Sequence, residues 1–310
     1  MKEASQPEIR RVPLEDVCLS ILAGSFADNC MSFLSQTPQP PAEEAVKSAL
    51  RILHEVGAIK FEETLNKSKP SEKLTPLGWH ISKLPVDVRL AKMLIYGTIF
   101  HCVDPVLTVA ASLSCKSPFV AFVNEALQAK AKHKLFAHPQ SDFMTLCNVF
   151  EAYNEAQTKG VSHARRFCSD NFLSYSALRE MYDTRRHFIE LLAGIGFLKS
   201  AKSGTSNGGR GAKFKWTQQS LSISSYNANK DNHDVVHSII CAGLYPHVGH
   251  LIPTASGIGE RPLWHRKERL HFHSSSVNSM LKTTNRYPTS WIVFHEKFGT
   301  QNRIYVSTTW

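Results

Sequence analysis

The residues best equipped for chemistry in this 310-residue chain lie near its end. Arg261, Arg266, Lys267 and Arg269 bracket Trp264 and His265. Cations interleaved with an aromatic ring suit a single nucleic-acid strand, with charge for the phosphates and a flat face for the bases. A solvated surface loop has the same composition, so the pattern alone leaves both readings open. Eight of the fifteen histidines also follow Asp231. His247 and His250 are three apart, and His271 and His273 would share a strand face. Imidazoles so spaced can converge on a metal, and they also serve as ordinary strand and loop residues near RNA or in pockets. No cysteine or carboxylate cluster stands beside them, so no metal site is assigned. Upstream, Arg185 falls inside an apolar helical stripe. A guanidinium there must pair with an acid or reach a polyanion, because burying it alone is costly.

Bond-making chemistry is not found. The glycine cluster GTSNGGRGAKF has a lysine but lacks the spacing of a G-x-x-x-x-G-K-[ST] phosphate loop, and no apolar strand precedes it. There is no G-x-S-x-G elbow, no H-E-x-x-H, and no recognisable carboxylate pair. No catalytic and no cofactor-binding residue is assigned. The formal net charge of +10 suits a polyanionic partner. The seven cysteines are odd in number and contain no C-x-x-C pair, which argues against a disulfide framework or a structural zinc. No apolar run approaches the roughly 18 residues a membrane span needs, and MKEASQPEIRR has no signal-peptide core. A cytoplasmic location without membrane contact is expected, with nuclear or organellar import left open.

The elements that must carry these residues fall into segments, in a chain expected to be mainly α with a β C-terminal part. Residues 1–86 read as helix, helix and β-hairpin, the outline of a winged helix. In the helix of PPAEEAVKSALRILHEVG, Ala45, Ala49, Ile52, Leu53 and Val56 form one face. Pro41 suits its first turn and Gly57 its end. Residues 87–199 read as a helical bundle. Asp104 should cap a helix starting at Pro105, and Ser141 should cap the next long one. Leu178, Met181, Tyr182, Ile189 and Leu192 share the stripe that holds Arg185. Residues 200–231, rich in Gly, Ser and Asn, read as a flexible basic linker. Residues 232–310 read as short strands, beginning with HSIICAGLYPHVGHLI, and suggest a small barrel lacking its last strand.

The order winged helix, helical bundle, small barrel resembles the C-terminal region of DEAH/RHA-type RNA helicases. The likeness runs through nearly the whole chain. PEIRRVPLEDVCLSI and PPAEEAVKSALRILHEVGAI resemble that family's winged helix. LTPLGWHISKLPVDVRLAKML with CVDPVLTVAASLSCKSPF resembles its most recognisable signature. SDFMTLCNVFEAYNEA, FCSDNFLS and ALREMYDTRRHFIELL fit its ratchet-like bundle. GLYPHVGHL and LHFHSSSVN fit its OB-fold, with Ser274 where the family often has proline. KLTPLGWHISKLPV and KMLIYGTIF lean toward the cytoplasmic, translation-associated branch.

The resemblance implies an RNA-binding accessory region that forms one wall of an RNA channel. Its RNA would be single-stranded or structured. The family's ATPase sits in two RecA-like motor domains, with phosphate loop, DEAH box and arginine fingers, and none of these is in the sequence. ATP and Mg would therefore belong to a parent helicase of which this is a severed part. By family position and chemistry, His273, Ser275, Ser276, Asn171 and Arg185 join Arg261, Arg266, Lys267 and Arg269 as candidate RNA contacts. Ribosomal or activator proteins are the implied protein partners, and a protein-docking module is the main alternative. A winged-helix DNA regulator is a weaker rival. Its helix carries Lys47, Arg51 and His54, but Glu43, Glu44 and Glu55 spoil the face for a major groove.

Overall fold

The computed structural model describes residues 8–62, 71–199, 225–253, 261–280, 287, 289–300 and 303–310. The chain divides into two compact units, Met1–Lys92 and Met93–Trp310.

In the first unit, α1 (Glu15–Ala23), α2 (Cys30–Leu34) and α3 (Glu43–Val56) precede an antiparallel hairpin, β1 (Ile59–Glu62) with β2 (Ser71–Leu74). The short helix α4 (Pro76–Ile81) follows. α3 ends at Gly57, whose φ of +86° is left-handed and therefore suits glycine. Its buried face is Val46, Ala49, Leu50, Leu53 and Val56. That corrects the expected face at two places: Val46 and Leu50 point inward, while Ala45 is exposed and Ile52 is half-buried. Pro41 lies before Ala42, the N-cap, and so outside the first turn. The signature LTPLG has a local reason. Thr75 caps α4 by accepting the Gly78 N–H at 3.0 Å and donates to Gly57 O at 2.7 Å. Gly78 lies so close to the backbone that a Cβ there would meet Ala58 O at 1.9 Å. Buried Glu72 joins the hairpin to α2, accepting the Cys30 N–H at 2.8 Å and Asn29 Nδ2 at 3.2 Å.

The helix α5 (Val88–Ile99) spans the boundary between the units. The second unit continues with α6 (Val103–Ser114), α7 (Ala126–His133), α8 (Asp142–Thr158), α9 (Val161–Asp170) and α10 (Tyr175–Gly194). α6 is buried on every side from Val103 through Ser112, apart from Asp104. Gly97 lets α5 approach it, since a Cβ there would stand 3.0 Å from Val106. Val149, Phe150, Tyr153, Cys168, Leu178 and Met181 form the core under α8, α9 and α10.

Two expectations are corrected here. Asp104 is not a cap. The helix starts at Val103, the Asp104 N–H is capped by Asn227 Oδ1 at 2.7 Å, and its carboxylate turns to Arg185. HSIICAGL is not a strand but the end of a helix, α11 (His233–Leu244), capped by Asn232.

Most of the expected linker, 200–224, lies outside the described residues. Its end, 225–231, is folded against the bundle. Asn229 donates from its backbone to His101 O at 2.8 Å and from Nδ2 to Phe100 O at 2.9 Å. These bonds satisfy carbonyls beyond the end of α5 while Asn227 satisfies the start of α6.

The barrel comprises β3 (Val248–Leu251), β4 (Leu263–His265), β5 (Glu268–Phe272), β6 (Trp291–Gly299) and β7 (Ile304–Thr309). They close in the order β3-β4-β5-β7-β6, with β5 and β7 parallel and the other pairs antiparallel. The sequence left room for a missing last strand; β7 instead pairs on both sides and completes the ring. Leu251, Leu263, Leu270, Phe272, Ile292, Phe294 and Val306 fill its interior.

Candidate nucleic-acid interface

The cationic residues of the barrel separate into two settings. Arg266 and Lys267 form the turn between β4 and β5, closed by the pair His265–Glu268. Arg266 has φ +55°, a left-handed conformation that costs a residue with a Cβ about 1 kcal/mol. Turn chemistry favours Asn or Gly there, so a guanidinium is held at the tip against local preference. Arg266, Lys267 and Arg269 are all exposed. The hairpin's acid, Glu268, is paired with Lys297 Nζ at 2.5 Å, which holds its carboxyl below the usual range.

His265 supports that pairing from inside. Its Nε2–H donates to Pro246 O at 3.1 Å, so Nδ1 is left to accept from Lys297 Nζ, also at 3.1 Å. Burial, with Lys297 beside it, pushes the imidazole pKa down. The outcome is a tip with three exposed cations and a compensated acid. Arg261 has a different job. Its Nη2 donates to Leu251 O at 2.9 Å and Ser290 Oγ at 2.8 Å, clasping the end of β3 to the entry of β6.

The HSSS turn is also divided. His273 Nδ1 lies 2.7 Å from Ser275 Oγ, and its ring packs against Phe298 and Tyr305. Ser275 is exposed. Ser276 is buried and donates to Asp142 Oδ2 at 2.6 Å. That carboxylate, the first residue of α8, also accepts the Val277 and Thr309 N–H groups at 2.8 Å each. Burial raises the Asp142 pKa, and the hydrogen bonds oppose the rise. Ser276 therefore locks the barrel to the bundle.

Beside this seam, Ser141 caps α8 through the Met144 N–H and stands 3.3 Å from His237 Nε2. His237 stacks on Trp310 at 4.2 Å. Burial, with His138 and His233 nearby, pushes its pKa down to about 4.

In the bundle, Asn171 follows α9 and donates from Nδ2 to Phe167 O at 2.8 Å. Arg185 is 1 % exposed. It pairs with Asp104 Oδ1 at 2.5 Å, donates to Asp104 O at 2.7 Å and to the Thr108 hydroxyl, and sits over the Phe150 ring.

The structure thus gathers Arg266, Lys267 and Arg269 at one end of β5 and His273 with Ser275 at the other. At about 3.3 Å per residue the two ends of this strand are about 13 Å apart. It brings neither Asn171 nor Arg185 to them. Lys297 and His265 are the supporting residues that sequence reasoning passed over or left unassigned. Among the described residues, no cluster of three His, Cys, Asp or Glu could hold a metal ion, and no helix is long and apolar enough to cross a membrane.

Three family profiles match in order: "Helicase associated domain (HA2), winged-helix" over residues 49–86, "Helicase associated domain (HA2), ratchet-like" over 87–146, and "Oligonucleotide/oligosaccharide-binding (OB)-fold" over 236–309. The chain is 36% identical over 249 residues to the putative ATP-dependent RNA helicase DHX57 of Homo sapiens, covering 78% of this chain and 17% of that protein. It is 34% identical over 302 residues to the ATP-dependent DNA/RNA helicase DHX36 of Rattus norvegicus, covering 96% and 27%. The DExH-box ATP-dependent RNA helicase DExH1 of Arabidopsis thaliana gives 34% over 300 residues, covering 95% and 26%.

The chain belongs to the DEAH/DExH-box helicase family.

It carries the winged-helix, ratchet-like and OB-fold parts of the family's C-terminal region. It spans about a quarter or less of these relatives' lengths. The helical N-terminal part and the closed barrel have the architecture these profiles describe.

Proposed function

We propose that this chain forms an RNA-contacting wall of an ATP-dependent helicase and couples that wall to motor domains. In this reading, ATP and Mg are used by RecA-like motor domains such as the longer relatives would carry. The β4–β5 tip is the main contact. Supporting it is one observation: Arg266, Lys267 and Arg269 stand exposed around an acid that Lys297 already neutralises. A phosphate backbone releases counterions when it meets such a tip, so binding should be salt-sensitive and indifferent to sequence. His273 and Ser275 offer a second, weaker contact of hydrogen-bonding type. Arg185, Ser276, Arg261 and Asn171 take framework roles, holding bundle and barrel in shape.

The test is anisotropy of a labelled single-stranded RNA titrated with the full chain at several salt concentrations. Arg266→Ala with Lys267→Ala should weaken binding and flatten the salt slope by about 1.4, from about 0.7 per phosphate contact on single strands. An unchanged affinity and slope would remove the tip from the interface.

A further inference from the structure

The helix α7 has two sides of opposite kind. Ala129, His133 and Phe136 recur at helical spacing, and this side is held to the bundle. Ala129 is buried. The His133 ring lies edge-on to Phe119 at 4.8 Å, and its Nε2–H donates to Phe172 O at 3.0 Å. Phe136, in the turn after the helix, packs against Phe167 at 6.0 Å, and its carbonyl accepts from Asn148 Nδ2 at 2.9 Å. The opposite side faces water. Leu127, Ala131 and Leu135 follow one another at steps of four, a strip about 12 Å long at about 1.5 Å per residue. Leu127 is 86% exposed and Leu135 73%. By the same helical spacing, Lys130 and Lys134 border the strip on one side and Lys132 on the other, all three exposed. From Ala126 to Ser141 the sequence contains no Asp or Glu. Elsewhere in the bundle the surface arginines have acids one turn on, as in Arg166–Asp170, Arg179–Asp183 and Arg186–Glu190. Among the described residues, no acid pairs with the three lysines of α7. Leaving two leucines in water forgoes their burial. An apolar centre with a charged rim is the anatomy of a protein-binding patch.

We infer that this face docks a partner protein through an acidic, amphipathic segment. The segment's aliphatic or aromatic side chains cover Leu127 and Leu135, and its carboxylates meet Lys130, Lys132 and Lys134. The face involves none of the residues assigned above to RNA. A nucleic-acid strand would match the lysines, but leucine has no flat face on which a base can stack, and phosphate contact uses charge alone. An anionic membrane would match both, yet two leucines on a helix of about two turns give little to bury among acyl chains. The inner side of α7 is already pinned, so the outer side meets its partner without first paying to order the helix.

The experiment titrates the full chain with three labelled peptides of about 20 residues, long enough to form helix. One is built of glutamate and leucine, with the leucines at helical spacing. In the second serine replaces leucine, and in the third lysine replaces glutamate. Leu127→Ser with Leu135→Ser should weaken binding of the glutamate–leucine peptide about tenfold, a modest share of what burying two leucine side chains supplies. The same variant should leave oligouridylate binding unchanged. Lys130→Glu with Lys134→Glu should weaken the glutamate–leucine peptide at least as much and bind the lysine–leucine peptide better than the parent does. Thermal melts of both variants should match the parent, since all four side chains are exposed. The inference falls if the parent binds none of the peptides, if it binds the serine peptide as well as the leucine one, or if the leucine variant keeps full affinity. Loss of oligouridylate binding in the lysine variant, with peptide binding intact, would assign the face to RNA. Loss of binding to vesicles of phosphatidylserine and phosphatidylcholine in the leucine variant, with peptide binding intact, would assign it to a membrane.

Discussion

Arg185 and Arg269 are the same side chain in opposite circumstances. Arg185 is sealed within the bundle against Asp104, Thr108 and Phe150; Arg269 stands on the outer face of the barrel beside Trp264. In the bundle, charge is spent on architecture. A buried guanidinium fixes α10 to α6, and a buried carboxylate at the head of α8 fixes the barrel turn. In the barrel hairpin, charge is turned outward and its one acid is masked. The difference teaches that a cation's job here is set by whether an acceptor from another element reaches it, and that fact is absent from the local sequence.

The largest expected effect tests the buried side. Arg185→Met should cost about 3–5 kcal/mol in urea denaturation, the range for breaking a buried ion pair from one side. RNA affinity of the folded molecules should hold. A tenfold loss of affinity at full stability would break the comparison by moving Arg185 to the interface.

Next comes the pH response of the seam. The folded-state pKa of His237, about 4, lies below the ordinary histidine value of 6.5. The unfolded chain therefore binds the proton first, and stability falls as pH drops from 6.5 toward 4, by about 3 kcal/mol in all. The titratable groups near it are His138, His233 and Asp234. Asp142 acts with the opposite sign: its raised pKa makes its contribution greatest at low pH and smaller as pH rises through that value. His237→Phe should flatten the acid limb of a melting-temperature profile, and an unaltered limb would rule His237 out as its source.

At the hairpin, Arg266→Ala with Lys267→Ala should leave stability within about 0.5 kcal/mol while lowering RNA affinity. A large loss of melting temperature would erase the contrast with Arg185. The smallest effect belongs to Ser275→Ala, which removes one exposed hydrogen bond and should shift stability by less than about 0.5 kcal/mol.

Local signals were legible in the sequence wherever the cause was local. Gly57 ends α3, Ser141 caps α8, and Leu178, Met181, Ile189 and Leu192 face the core as their spacing requires. The start of the third segment misled because Val235, Val236, Ile239 and Ile240 are β-branched, and a short apolar run fits either period. Asn232, the helix cap, was the available signal. Asp104 has cap chemistry, yet its partner lies 81 residues away, and Lys297 reaches Glu268 across 29. The alignment of Trp264, His250 and Trp291 across neighbouring strands is further out of reach, since it exists only once strand register is set. Trp264 was conspicuous in the sequence beside its basic neighbours, but His250 and Trp291 join it only through pairing.

The Lys199 N–H donates to Tyr226 Oη at 3.0 Å, so two residues 27 apart in the chain are latched together. A backbone donor survives every side-chain exchange at position 199 except proline, which leaves the tyrosine hydroxyl as the half of the latch that ordinary mutation can remove.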